Sequence, residues 1–302
     1  MALMDVNESE MGYVKEVTAG VTPATPVFQK MKITGESLKS TLAYESGNEI
    51  AAVAAVQEVQ ANGESIGGGI EFLPRLSQEF EDMLEAALRG TWNAGTLEGA
   101  QDDHHFTVER KISAALYHRF AGLRVSSLSL NAGTKAKQGA SVQFMGLTET
   151  TGTAIILGAT YTAASGASYL IGTDLKNVAI TGITNPIATS ISMEISNELS
   201  ERDALGSDTA VAIGNGERSV TGTIELYFES FEAYTAFKSR TNAAISFDMV
   251  KGGTTYTVTM TKAKLTDYSA PMAAKGDSFK ATVNYQAQYD PTPSTDITIV
   301  KV

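Results

Sequence analysis

Asp102, Asp103, His104 and His105 form a run of potential metal ligands. In an extended segment neighbouring side chains point to opposite faces, so the four cannot close on one ion, and a solvated polar loop is the better reading. His118 stands between Tyr117 and Arg119 in an alternating stretch and reads as a partly exposed side chain rather than a catalytic base. Gly67-Gly68-Gly69 has the look of a phosphate loop, but no Lys-Ser or Lys-Thr follows. The run sits inside a strand pattern, where glycine marks a bulge or a close backbone approach. Alternation scatters Arg110, Lys111, Arg119 and Arg124 over both faces, so salt bridges or subunit contacts are expected of them. No Ser-His-Asp order, paired-carboxylate site or zinc spacing stands out. Catalytic residues, metal ligands and a cofactor are therefore not expected, and neither is an enzyme.

The elements that carry these residues repeat. Asn62-Gly63-Glu64-Ser65-Ile66-Gly67-Gly68-Gly69-Ile70-Glu71-Phe72 reappears as Asn215-Gly216-Glu217-Arg218-Ser219-Val220-Thr221-Gly222-Thr223-Ile224-Glu225-Leu226. Each copy runs into a short acidic, aromatic helix signal, expected over 77–89 and 230–238. A shared order of turn, strand and helix implies one unit duplicated in tandem. Gly68, Ile70, Phe80 and Leu84 are the expected structural core of the first copy; Gly222, Ile224, Phe231 and Tyr234 are that of the second. Glu79, Glu81, Asp82 and Glu85 are expected on a solvated face of the first helix. Ile33 and Glu36 are matched with Ile191 and Glu194, and Leu130-Asn131-Ala132 with Tyr268-Ser269-Ala270.

Strict alternation, as in Val220 to Phe228 and Phe279 to Tyr289, indicates antiparallel sheets with one face buried and one wet or facing a partner. The expected organisation is an extended N-terminal arm over 1–30, a first β domain over 31–147, a structured connector over 148–187, a second β domain over 188–289 and a C-terminal arm over 290–302. Short strands are expected in the connector at 154–157 and 168–171. Proline-broken sequence in both arms, with apolar Ile297, Ile299 and Val300 in the second, suggests an assembly arm that orders on another surface.

The chain has 302 residues, a formal charge of -11 and no cysteine. That length can bury two cores. The negative charge speaks against nucleic-acid binding, and the missing cysteines exclude disulfides and thiolate metal sites while fitting a reducing compartment. No basic, apolar leader opens the sequence, and its longest apolar runs fall far short of the ~20 residues a membrane helix needs, so a soluble chain without membrane contact is expected.

Glu10-Met11-Gly12 with Thr18-Ala19-Gly20-Val21-Thr22-Pro23-Ala24-Thr25-Pro26 and Phe28, Ile33-Thr34-Gly35-Glu36-Ser37-Leu38, Phe80 to Leu88 with Trp92, Thr107-Val108-Glu109-Arg110 and Phe120 to Val125 together resemble the major tail tube proteins of long-tailed (siphovirus-type) bacteriophages. The resemblance covers most of the chain. It implies a mainly β fold: two tandem β-sandwich or partial-barrel domains, each with one short α-helix. It further implies a structural virion protein whose rings stack into a hollow, acidic-walled conduit for DNA ejection, assembled in the host cytoplasm and located in the virion tail. The partners implied are further copies of itself and other tail proteins at the tube ends, with DNA passing through without specific binding. Two domains per chain favour a trimeric ring with pseudo-sixfold symmetry, a hexamer being the alternative. Rival readings are a capsid decoration or adhesin module, and a carbohydrate-active β-protein, for which one Trp and no obvious acid pair speak poorly.

Overall fold

The computed structural model describes residues 6–50 and 52–302; residues 1–5 of the expected arm, and Ala51 in one apolar run, lie outside them. The strands of the first half are β1 (Glu10–Glu16), β2 (Val27–Met31), β3 (Gly35–Glu36), β4 (Lys39–Ser46), β5 (Val59–Phe72), β6 (Thr96–Glu98), β7 (His105–Ser113), β8 (Leu116–Gly133) and β9 (Gly139–Gly146), with helix α1 (Gln78–Leu88) after β5. Then come β10 (Thr148–Gly152), β11 (Thr160–Thr162), β12 (Leu175–Ile180), β13 (Ala188–Ser196), β14 (Ser200–Arg202), β15 (Ala212–Gly214) and β16 (Ser219–Tyr227). Helix α2 (Glu232–Ser239) precedes β17 (Asn242–Lys251), β18 (Thr254–Ser269), β19 (Lys280–Ala287) and β20 (Thr298–Lys301). The protein is mainly β, as its alternation predicts.

β8 is 18 residues long and serves two sheets. Its first part pairs with β7 and β10 and its second part with β9. β1 extends the first sheet from β7, and β5 then β4 extend the other from β9. β18, 16 residues long, does the same. It pairs first with β17 and β20, then with β19, while β12 extends one sheet from β17 and β16 then β13 extend the other from β19. A strand bent through both layers makes each half a sandwich open along one side.

The likeness extends to local irregularities. Register slips between Val125 and Ser127 against β9, and between Leu265 and Asp267 against β19. Gly68 stands opposite Phe144 and Gly222 opposite Tyr285. A Cβ at Gly68 would lie 2.3 Å from the Ser37 carbonyl oxygen, and one at Gly222 2.1 Å from that of Ser192. Only glycine permits such an approach. These contacts make Ser37 the counterpart of Ser192, so the matching of Ile33 and Glu36 with Ile191 and Glu194 is out by three positions. Leu128 and Tyr268 face Val142 and Val283, so the matching of Leu130 with Tyr268 is out by two. Two or three similar residues are too few to fix a register that pairing with other strands decides.

Both expected arms are corrected. β1 pairs with β2 and β7, burying Met11 and Tyr13. β20 lies between β18 and β6, with Ile297 and Ile299 in this chain's own core and Val300 half-buried. Their apolar residues find a surface within the chain. Strands thus reach beyond 31–147 and 188–289 at both ends of each half. In the connector, 154–157 and 168–171 form no strands; β10, β11 and β12 take 148–152, 160–162 and 175–180 instead.

The halves meet along a strand seam. Ser127 to Gly133 of β8 pair antiparallel with Ser196 to Ser190 of β13, so β4–β5–β9–β8–β13–β16–β19–β18 is one hydrogen-bonded succession. One apolar cluster runs through both halves, from Phe106, Phe120 and Leu123 to Phe247, Val258 and Met260.

Candidate functional site

Two features of this architecture can serve a function: the wet face of the continuous sheet, and the buried helix that ties the halves. On the wet face, pairing aligns side chains into rows that cross the seam. Glu71, Ser141, Ser129, Glu194, Thr221 and Gln286 form one row, and Asn131, Ser192, Thr223, Asn284 and Asp267 another. Ser129 and Ser141 hydroxyls lie 2.9 Å apart, and the Thr223 hydroxyl donates to Asn284 Oδ1 at 2.8 Å. Around Ser129, Ser192, Glu194 and Gln286 the sheet is concave and lines a hollow of about 610 Å³ open to solvent. Hydroxyls and amides dominate here. Lys280 binds Glu225 at 2.7 Å, and that ammonium, followed by a Thr189 hydrogen bond, holds the Glu225 carboxyl below its ordinary range. The opposite face carries Leu130, Met193, Tyr285 and Leu265 into the core. Gly222 leaves room for the Tyr285 hydroxyl to pass over it to the Ser192 carbonyl at 3.1 Å.

The acidic helix is not solvated. Glu79, Glu81, Asp82 and Glu85 are only 6–8 % exposed, against the expectation of a wet face. Each has partners from distant sequence. Tyr13 donates to Asp82 at 2.7 Å, and Lys15 reaches Asp82 at 2.8 Å and Glu85 at 2.6 Å. The backbone N–H of Ser165 donates to Glu79 at 2.6 Å. Glu81 accepts from Tyr256 of β18 and from Lys301 of β20, the latter at 2.5 Å. Burial, then Asp82, raises the Tyr13 phenol; burial and Glu81 do the same to Tyr256. Burial works against the Lys15 ammonium, but Asp82 and Glu85 outweigh it and its pKa rises. Acidic residues near a helix N-terminus also meet the favourable end of its dipole. The helical period is the same for a wet and a buried acidic face, so only the distant Tyr and Lys partners could have revealed this one.

Further side chains fasten the first half to the second. Asn197 Nδ2 donates to the carbonyls of Ala87 and Val125, both at 3.0 Å. Arg218 donates to Asp296 at 2.8 and 3.1 Å and to the Leu88 and Ala100 carbonyls at 2.8 Å. Arg124 binds Asp103 at 2.5 Å, Asn215, and the Ile213 carbonyl at 3.0 Å.

The cationic residues of the sequence reading are paired: Arg110 with Glu36, Lys111 with Glu10, Arg119 with Glu109. His104 meets the Gly90 carbonyl at 2.8 Å, and His118 lies 3.3 Å from Glu149. Among the described residues no group of three His, Asp or Glu is placed to hold a metal ion, and no helix is long and apolar enough to cross a membrane. Of the expected core residues, Ile70, Phe80, Leu84 and Ile224 are buried. Phe231 and Tyr234 are not; they are 69 % and 41 % exposed. The residues of α2 turned inward are Ala233, Ala236 and Phe237. Phe231 stands at the N-cap of α2, as Ser77 does at that of α1.

No curated protein sequence matches this one. A family model described as "Phage tail tube protein" matches residues 6–287, nearly the whole chain. The chain belongs to the phage tail tube protein family. Its tail tube membership makes it a structural component of the virion tail that assembles with its own kind into a tube. The matched span runs through the seam, so both halves fall within the family's pattern.

Proposed function

We propose that this tail tube protein builds rings in which three chains, each supplying two like units, close a pseudo-sixfold wall, and that stacked rings conduct DNA during ejection. The units comprise β1 to β10 and β12 to β20, wider than the sequence suggested. The observation that carries this reading is the β8–β13 seam, where two units of matching topology share one hydrogen-bonded sheet. A ring needs such a joint repeated, and heterologous joints close when the rotation allows. We place the hydroxyl- and amide-rich face on the lumen. Glu71, Glu194, Glu225 and Asp267 stand there with Lys39, Lys264 and Lys280, and the chain's charge of -11 gives a trimer about three times that excess. Phosphates within a Debye length, ~8 Å at physiological salt, meet no cationic track to hold them, which suits passage without binding. Negative-stain microscopy of purified protein tests the reading: rings or tubes are expected, and compact monomeric particles under all conditions would contradict it.

A further inference from the structure

An aromatic surface on α2 is left uncovered, and the internal repetition says what belongs on it. Phe228, Phe231, Tyr234, Phe237, Tyr268 and Phe279 form a chain of ring contacts with centroids 4.7–6.4 Å apart. Phe231 is 69 % exposed at its centre. Aromatic area of this kind costs solvation free energy unless something covers it. In the first unit the corresponding helix is covered: Glu81, in its first turn, reaches Tyr256 of β18 and Lys301 of β20 in the second unit. β8 and β10 hold the places of β18 and β20 in the first unit.

The sheet edge points the same way. β8 carries β13 on its free side over Ser127 to Gly133. The matching stretch of β18, from Asp267 to Ser269, is paired with β19 on one side, and among the described residues no strand pairs on the other. β4 holds the place of β13: Lys39 pairs with Gly67 as Glu194 pairs with Thr221. Its outer edge is likewise without a strand among the described residues.

We infer that the α2 aromatic face and the end of β18 together form the docking surface for the first unit of a second copy of this chain. The α2 face meets the copy's β8 and β10, and the β18 edge takes its β4. This deepens the ring reading and rests on it. The internal seam supplies the register. Glu194 faces Ser129 there, so Lys39 of the incoming copy faces Ser269, and Thr41 faces Asp267. Lys39 and Asp267 are then diagonal neighbours of opposite charge, at a distance side chains of that length span. Helix and edge are two separate features, each argued from its own counterpart in the first unit.

The chain has no cysteine, so a designed disulfide reads the seam without background. In the double variant Lys39→Cys, Ser269→Cys, directly opposed positions bring the Cβ atoms within disulfide range. Oxidation of assembled protein is expected to give chains linked to one another on a non-reducing gel. Alongside it, Phe231→Asp, Tyr234→Asp is expected to keep the circular dichroism of the wild type, since both residues are exposed, and to raise the concentration needed for ring formation by at least about tenfold. If the wild type forms rings but the cysteine pair never links chains, or the aspartate variant assembles at the wild-type concentration, the docking surface is wrong while the ring reading stands. If the wild type forms no rings at all, both fall.

Discussion

Replacing Asn197 by alanine should unfasten the two units from within. Asn197 follows β13, is 0 % exposed, and its Nδ2 is the donor shared by the Ala87 and Val125 carbonyls at 3.0 Å each. Ala87 lies in the last turn of α1, where carbonyls lack an intrahelical donor, and Val125 flanks the bulge in β8. Asn197→Ala strips both acceptors where water does not reach. Each buried acceptor left without a partner costs about 1–3 kcal/mol, so a loss of roughly 2–6 kcal/mol is expected. With a urea dependence of about 3 kcal/mol per molar for a chain of this size, the unfolding midpoint should fall by about 1 M. Asn197→Asp should do at least as much harm, since it turns carboxylate oxygens toward two carbonyls. Asn131→Ala, on the wet face of the sheet, should stay within about 0.5 kcal/mol of wild type. Urea titration followed by circular dichroism decides the matter. A midpoint for Asn197→Ala within about 0.2 M of wild type would refute the claim that this amide holds helix, bulge and second unit together.

Gly222→Ala puts a methyl 2.1 Å from the Ser192 carbonyl oxygen and 2.4 Å from the Tyr285 hydroxyl; a thermal scan should show a loss of about 1–3 kcal/mol, whereas Gly133→Ala, with nothing within 4 Å, should change little. Removing residues 296–302 takes away Ile297, Ile299 and the Asp296 partner of Arg218, so cooperative unfolding should be lost; a truncated chain that melts as wild type would contradict the placement of β20. Lowered carboxyl pKa values at Glu10 (through Lys30, then Lys111), Asp103 (through Asn215, then Arg124) and Glu225 (through Lys280) give stability that is present above a carboxylate's ordinary pKa of about 4 and lost as the pH falls below it. Melting temperatures measured from pH 7 to pH 3 should therefore drop mainly below pH 4, and a flat profile would count against these pairs.

The sequence revealed features set by local repetition. Alternation in Val220 to Leu226 and Ala281 to Ala287 fixed which side chains face the core, and the period change after Phe72 located α1 within a residue or two. The glycines at 68 and 222 were legible as close approaches because they recur in one motif. What stayed hidden depends on partners far along the chain. Tyr13, Lys15, Tyr256 and Lys301 converge on one acidic helix, and no local pattern distinguishes that helix from a solvated one. Phe231 and Tyr234 misled for a related reason: aromatic residues at helical spacing suggest a core, yet Ala233, Ala236 and Phe237 hold the inward positions. The terminal strands looked like free arms because an extended apolar segment carries no mark of which edge it joins.

The mass of an isolated ring tests the central claim most directly. Native mass spectrometry of rings dissociated from tubes should find three chains of 31.9 kDa each, about 96 kDa in all. Six chains, about 191 kDa, would show that each chain supplies a single position on the ring and that the duplicated units serve another purpose.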